Sequence, residues 1–451
     1  MPAKIFPDSF VFGCATASYQ VEGAANADGR GPSIWDTYSH TPGRVDCDHT
    51  GDVSVDQYRR YPDDIKIMQW LGLKAYRLSI SWSRVMPEGE GRVNEKGIQY
   101  YEKLVDALLA ANVVPYVTLF HWDLPQVLQD KYGGWKSRET SKRFSDYAAM
   151  IVKRLSDRVT NWFTFNEFSC FIDGAYGQTP WHPPAEILLR KELNATRHNV
   201  LMAHGLGALA IRANAVKPPS VGLAENAHPC TPVIETPENI AASEKAMREE
   251  NAQYLTAIME GAYTERYLRL QGADAPVFTP GEMKIIGTPL DFVGLNCYTA
   301  HHIRAAQNTD GYEFVPPAAG HPKMDTNWLY VNPQCLYWGV RNIAKCWKPK
   351  GIFITENGCA ARDKFIVGKN EILDTDRVMY LRGHLKSAER AVQEGLPLSG
   401  YFLWSLLDNF EWARGYTQRF GIVYVNYETL ARTPKLSAEF YREVIKQGRV
   451  V

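Results

Sequence analysis

Ile352-Phe353-Ile354-Thr355-Glu356-Asn357-Gly358 is the stretch on which the reading of this chain turns. Three large apolar residues and a threonine suit the pleated, packed surface of a buried strand. The strand then runs straight into a carboxylate, an amide and a glycine. A carboxylate at the mouth of a buried strand is costly unless it is paired, hydrogen-bonded or put to chemical use. Taken alone, Glu356 reads more simply as the solvated first residue of a strand-to-helix loop, with Asn357-Gly358 as its turn. The rest of the chain must overturn that simpler reading.

Working outward, the same pattern recurs. Phe10 to Ser18 is strand-like and ends in Tyr19-Gln20. A helix from about Gln57 to Leu71 closes at Gly72, where a C-cap glycine is favoured. The run Ala75 to Trp82 alternates; Asn94 to Ala111 carries one apolar helical face; Val113 to Phe120 runs into His121-Trp122. A helix from about Ser141 to Ser156 leads to the strand Val159 to Phe165, which ends in Asn166-Glu167. There follow a helix from Arg197 to Ala215, a strand from Ser220 to Asn226 and one long helical stretch from about Ile240 to Leu270. The strand Asp291 to Asn296 precedes a Gly/Pro-rich excursion that reaches about Pro333. One more helix leads to the opening strand, and Thr375 to Glu394, Leu398 to Trp404 and Ser437 to Lys446 read as helix, strand and closing helix.

Eight strand-helix alternations with long loops on one side predict a (β/α)8 barrel, the TIM-barrel form of α/β architecture. The strands are apolar runs, as expected when protein covers both faces. A doubly wound open sheet is the weaker alternative, since no GxGxxG opens a first helix and no GxxxxGK[ST] occurs. No linker or composition break divides the chain, so residues 1–451 are expected to form a single domain with long loops at the C-terminal face of the strands.

Bulk properties exclude several functions. Hydrophobic residues make up 45% and charged residues 22%, and fifty basic side chains balance fifty acidic ones. A nucleic-acid binder should show a basic excess, and a membrane protein a run of about 18 apolar residues; neither is present. The eight cysteines lie far apart with no CxxC or Cys/His spacing, which predicts reduced, buried thiols rather than a disulfide frame or a metal site. Met1-Pro-Ala-Lys-Ile-Phe-Pro-Asp-Ser has no apolar leader core, so the expected location is cytoplasmic. The sequence leaves open whether the chain is a monomer or a homo-oligomer.

In barrels of this type chemistry sits at the C-terminal ends of the strands. Those ends offer Gln20, Arg77 with Trp82, His121-Trp122, Asn166-Glu167, Asn226, Asn296 with Tyr298, Glu356, and Trp404 followed by Asp408, Glu411 and Trp412. One histidine makes no zinc site, and no GxSxG elbow is present. Amides, an imidazole and indoles instead suit a sugar, with hydrogen bonds to vicinal hydroxyls and a flat surface for the ring. Two glutamates on different strands can meet across the mouth, one donating a proton while the other attacks or activates water.

At this point the motifs resemble glycoside hydrolase family 1, the β-glucosidase family. Thr164-Phe-Asn-Glu167, Ile354-Thr-Glu-Asn-Gly358 and Trp404-Ser-Leu-Leu-Asp-Asn-Phe-Glu-Trp412 occur together and in order, and the likeness runs from Phe6 to Thr433-Pro-Lys-Leu-Ser-Ala. The resemblance implies a retaining β-glucosidase acting on cellobiose, short cello-oligosaccharides and aryl or alkyl β-glucosides, without cofactor. Glu356 is then the nucleophile and Glu167 the acid/base, their carboxyls about 5–5.5 Å apart. Arg77 and Tyr298 support the nucleophile, and Asn166 binds the 2-hydroxyl. Gln20, His121, Trp122, Glu411 and Trp412 bind the remaining sugar hydroxyls, Trp404 is the stacking platform with Phe420 nearby, and Trp328 is an aglycone wall. Asn296 is a further site residue. Glu411 stands where the 6-phospho-glycosidase branch has a small residue, which predicts unphosphorylated sugars. β-Galactosidase, β-fucosidase or transglycosylase activity would use the same machinery, and a non-catalytic sugar-binding protein is the reading from another class. One departure stands out: the family usually continues Asn-Glu-Pro, whereas this chain reads Asn166-Glu167-Phe168-Ser169-Cys170.

Overall fold

In the computed structural model, which describes residues 3–366 and 371–451, the opening stretch forms a strand, Ile352–Asn357, with all six residues buried. Met1 and Pro2, the start of the segment read for a leader, lie outside the described residues. Seven further strands join it in a closed barrel. In chain order the eight are β1 (Val11–Ala15), β2 (Ala75–Ser79), β3 (Val114–Phe120), β4 (Asn161–Asn166), β5 (Ser220–Glu225), β6 (Val293–Asn296), β7 (Ile352–Asn357) and β8 (Leu398–Trp404). Every neighbouring pair is parallel, with Ile352 registered against Val293 on one side and Leu398 on the other.

Helices Gln57–Leu71, Glu95–Ala110, Arg138–Leu155, Arg190–Asn214, Gln334–Trp347, Thr375–Gln393 and Leu436–Gln447 lie in the strand connections and after β8. Local chemistry sets their ends. Ser137 accepts from the Glu139 amide at one N-terminus, and Gly72 ends the first helix with φ 77°. The Arg190–Asn214 helix begins seven residues before the position predicted from its apolar face, because the Glu192 carboxylate accepts from the Leu189 amide and starts a turn there.

Bulky rings fill the barrel below the site. Tyr116 of β3 lies 5.0 Å from Phe402 of β8 and 5.7 Å from Phe353 of β7, strands that are not its neighbours, so these rings meet inside the barrel. Phe292 joins Phe163 at 4.9 Å and Phe353 at 5.3 Å. Adjacent strands make room: a Cβ on Gly13 would stand 2.5 Å from the Phe402 ring, and one on Gly222 2.3 Å from Phe292. Truncating one of these rings to alanine should cost about 3–5 kcal/mol. The layer also serves the chemistry above it, because the Arg77 guanidinium sits over the Phe163 ring at 5.2 Å.

Four sequence expectations need correction. The stretch from Ile240 to Leu270 is not one helix but three: Pro237–Glu250, Leu255–Glu260 and Glu265–Gln271. Asn251 breaks it, its side chain donating to Met247 O and accepting from the His228 amide, while the Thr256 hydroxyl takes Arg248 O. The excursion before Pro333 holds strands His301–Ala305 and Tyr312–Val315, which build a small sheet with Cys230–Pro232. Trp82 lies beyond β2 in a short helix, stacked on Tyr147 with its N–H on Gly89 O, so it is core rather than site. Of the cysteines, Cys47 is exposed and Cys170 and Cys346 are half-buried, whereas the other five are buried. Among the described residues no helix is long and apolar enough to cross a membrane.

Candidate active site

The C-terminal ends of β2, β4, β6 and β7 converge on two carboxyls. Glu356, 4% exposed, receives Arg77 Nη1 on Oε1 at 2.6 Å and the Tyr298 hydroxyl on Oε2 at 2.8 Å. Arg77 is fully buried and uses all three of its nitrogens: Nη1 also reaches Thr355 O, Nη2 donates to Asn166 Oδ1 at 2.5 Å, and Nε donates to Thr118 Oγ1. A guanidinium is suited to this task because its planar donors are fixed and it stays charged when buried.

Glu167 sits opposite, at the turn between β4 and the Phe168–Tyr176 helix, with φ 51°. Its Oε1 accepts from Asn296 Nδ2 at 2.7 Å, and its Oε2 accepts from the Cys170 thiol at 3.0 Å. Asn296 also donates to Asn166 Oδ1 and accepts from Thr355 Oγ1, so one amide links both catalytic-type carboxyl strands.

Electrostatics separate the pair. Burial and the Glu356 charge push Glu167 up to about 7. Burial also lifts Glu356, but Arg77, Tyr298 and Asn296 pull it back, so Glu356 is the stronger acid of the two. The proton shared by the coupled pair therefore resides on Glu167. Tyr298 is held neutral by burial among carboxylates and stays a donor.

The remaining predicted residues line the same opening. His121, pushed well below its ordinary value by burial and by Arg77, is neutral, and its Nε2 meets Asn166 Nδ2 at 3.1 Å. Its ring stacks between Trp404 at 5.8 Å and Trp412 at 5.9 Å. Trp122 donates its N–H to Asn166 O and packs against Trp412 at 4.6 Å, so it presents ring surface. Gln20 Nε2 is spread over Asn409 Oδ1, Phe410 O and Glu411 Oε2. Among the described residues, Gln20 Oε1 and His121 Nδ1 are buried without a protein partner, which leaves two polar atoms ready for hydroxyls. Phe420 and Trp328 both pack edge-on against Tyr298, and Trp328, 49% exposed, forms the outer rim.

Glu411 behaves differently from the sequence expectation. Burial and the Glu356 charge push its carboxyl up to about 8, so at neutral pH it is protonated and repels no phosphate by charge. Among the described residues no Lys or Arg side chain pairs with Glu411, whose carboxyl accepts instead from Gln20 Nε2. Two residues read from the strand ends stand away from the carboxyl pair. Asp408 is buried in an ion cluster with Lys435 and Arg419. Asn226 faces Ser169 and Cys170 rather than the opening.

Sequence reading passed over Glu225, the last residue of β5 and buried, whose Oε2 accepts from the Phe168 amide at 2.9 Å. It also passed over Cys170 and Asn409. An acidic residue ending an apolar strand was the available signal for Glu225.

A barrel with two facing glutamates, one beside a buried arginine, defines the class of enzyme, and comparison with known proteins agrees. The model of glycosyl hydrolase family 1 matches residues 2–450. The chain belongs to that family. It is 42% identical to a β-glucosidase A of Acetivibrio thermocellus over 98% of both chains, and 41% identical to a β-glucosidase A of Thermotoga maritima over 99% of both. The Thermotoga maritima enzyme solved in complex with glucoimidazole superposes with a TM-score of 0.89, at 40% identity and 99% coverage of each chain.

Proposed function

We propose that this glycosyl hydrolase is a retaining β-glucosidase of cellobiose, short cello-oligosaccharides and aryl or alkyl β-glucosides. The observation that carries the mechanism is the unequal treatment of the two carboxyls: Glu356 has the guanidinium, and Glu167 has the proton. Glu356 attacks the anomeric carbon while Glu167, protonated as pH falls below about 7, delivers its proton to the departing oxygen. Glu167, now anionic, takes a proton from water, which displaces Glu356 from the glycosyl-enzyme. Tyr298 and Arg77 hold Glu356 on its attack line in the first step and receive its charge back in the second.

In this reading Asn166 meets the 2-hydroxyl, whose contact strengthens as positive charge develops at the ring. Gln20 and His121 supply the open polar atoms for outer hydroxyls, with Glu411 as a neutral donor, while Trp404, Trp412 and Trp122 provide the apolar surface. Trp328 and Phe420 border the aglycone side. Asn296 holds Glu167 against the pair. The names of the relatives favour glucose over galactose or fucose, and a cytoplasmic place in cellulose breakdown accords with eight unpaired cysteines.

Proton NMR of the first-formed sugar tests the mechanism. Hydrolysis of an aryl β-glucoside should release β-glucose before mutarotation, and an α-configured first product would sink double displacement. Rates on matched aryl β-glucoside, β-galactoside and β-fucoside rank the sugars, and product analysis at high acceptor concentration measures transglycosylation.

A further inference from the structure

The geometry points to Glu225 as a positioning residue for the acid/base: its carboxyl holds the peptide that follows Glu167. The inference rests on the assignment of Glu167 as proton donor made above.

Glu167 occupies backbone territory that non-glycine residues rarely adopt, at φ 51° and ψ 79°. Such a conformation persists only where neighbours over-determine it. Here two consecutive residues of β5 do so. Ala224 O accepts from the Glu167 amide at 2.8 Å, and Glu225 Oε2 accepts from the Phe168 amide at 2.9 Å. The peptide groups on both sides of the Glu167 Cα are therefore tied to one strand.

The second tie is specific to this chain's departure from the Asn-Glu-Pro pattern. Proline has no amide hydrogen and fixes its own φ. With Phe168 in its place, an N–H appears at the first turn of the Phe168–Tyr176 helix, and its N-cap residue, Glu167, offers no side-chain cap. A buried, unpaired amide at that point would loosen the turn. Glu225, 3% exposed, meets it from across the sheet. Phe168 itself drives its ring into the core, stacked on Tyr254 at 5.6 Å and tilted against Phe165 at 5.2 Å, so the N–H cannot swing away to water.

The consequence reaches the reacting atom through one residue. The Glu167 carboxyl is aimed by Asn296 on one oxygen and Cys170 on the other. Cys170 lies in the helix that Glu225 anchors. Loss of the anchor shifts both the Cα of Glu167 and the thiol that orients it, while Glu356 and Arg77 stay in place.

The test is a leaving-group series. E225L removes the acceptor, E225Q keeps a carbonyl oxygen at the same reach, and E225N keeps one too short to reach. We expect E225L to lose about 30-fold in kcat/KM, which reports the steps up to aglycone departure, on alkyl β-glucosides and cellobiose, whose departure needs the acid, since general acid catalysis supplies about 10²–10⁴-fold. On 2,4-dinitrophenyl β-glucoside, whose phenolate leaves unaided, the loss should stay under about threefold, and E225Q should sit within about threefold of the parent on every substrate. A uniform loss across leaving groups, or none in either class, overturns the proposal. Should E225L fail to fold, E225N against E225Q gives the same contrast. E167Q serves as control: if it shows no leaving-group dependence, the acid/base assignment is wrong, whereas dependence in E167Q without dependence at position 225 rejects Glu225 alone.

Discussion

The two sides of the opening hold their carboxyls by different means. Glu356 is fixed by charge: a buried guanidinium and a phenol, both donors, at the end of a buried strand. Glu167 is fixed by neutral groups, an amide and a thiol, on a left-handed turn. Burial is shared, so the difference in proton occupancy comes from that contrast in partners. A carboxylate beside a cation remains a nucleophile, and the same group beside neutral donors, facing another carboxylate, keeps a proton to give.

The contrast can be broken at four points. Replacing Glu356 with alanine should lower turnover of an aryl β-glucoside by about 10⁴-fold or more, because no other group can form the glycosyl-enzyme. Glu167→Gln should lower kcat on alkyl β-glucosides by about 10²- to 10⁴-fold and erase the alkaline limb of the kcat/KM profile. In the parent that limb falls as pH rises through about 7, since Glu167 must be protonated to act. Arg77→Met strips the charge from the Glu356 side, which raises the Glu356 carboxyl and moves the acid limb to higher pH. It should also cut kcat/KM at pH 6 by about 10²-fold, and a thermal melt should show a loss of about 3–5 kcal/mol, the cost of an unpaired buried charge. Cys170→Ala is the finest probe. The thiol favours the Glu167 anion, so its removal raises Glu167 and shifts the alkaline limb upward by less than about one pH unit; a downward shift would mean that the thiol does not donate.

How much of this was legible in the chain follows from the range of each cause. Glu356, Glu167 and Asn296 could be read because each lies at the end of an apolar strand, and Arg77 because a cation inside one stands out, while the barrel turns every strand end toward one mouth. Tyr298, two residues past β6, was within the same reach. Asp408 resembled a site residue for the same reason, yet its fate is set by Lys435 and Arg419, whose positions no local pattern reveals. Trp82 failed because β2 stops at Ser79 and the chain folds into a helical turn, taking the indole outward. The break at Asn251 was hidden because a side chain replaced main-chain hydrogen bonds without glycine or proline to mark it. At the end of β5 the amide of Asn226 drew more attention than the neighbouring acid, although Glu225 is the residue that touches the acid/base turn. The sugar-side change of Glu411 from anion to neutral acid was out of reach, since it depends on burial and on charges from distant segments.

The layer of rings beneath Arg77 has a consequence for timing. Tyr116, Phe163, Phe292, Phe353 and Phe402 close the route along the barrel axis, so nothing reaches the reacting carbon from below. Under the double-displacement scheme the water of the second step cannot queue behind the glycosyl-enzyme; it must wait for the aglycone to vacate the threshold near Trp328. Whatever reaches that threshold first, water or another alcohol, decides what the sugar becomes.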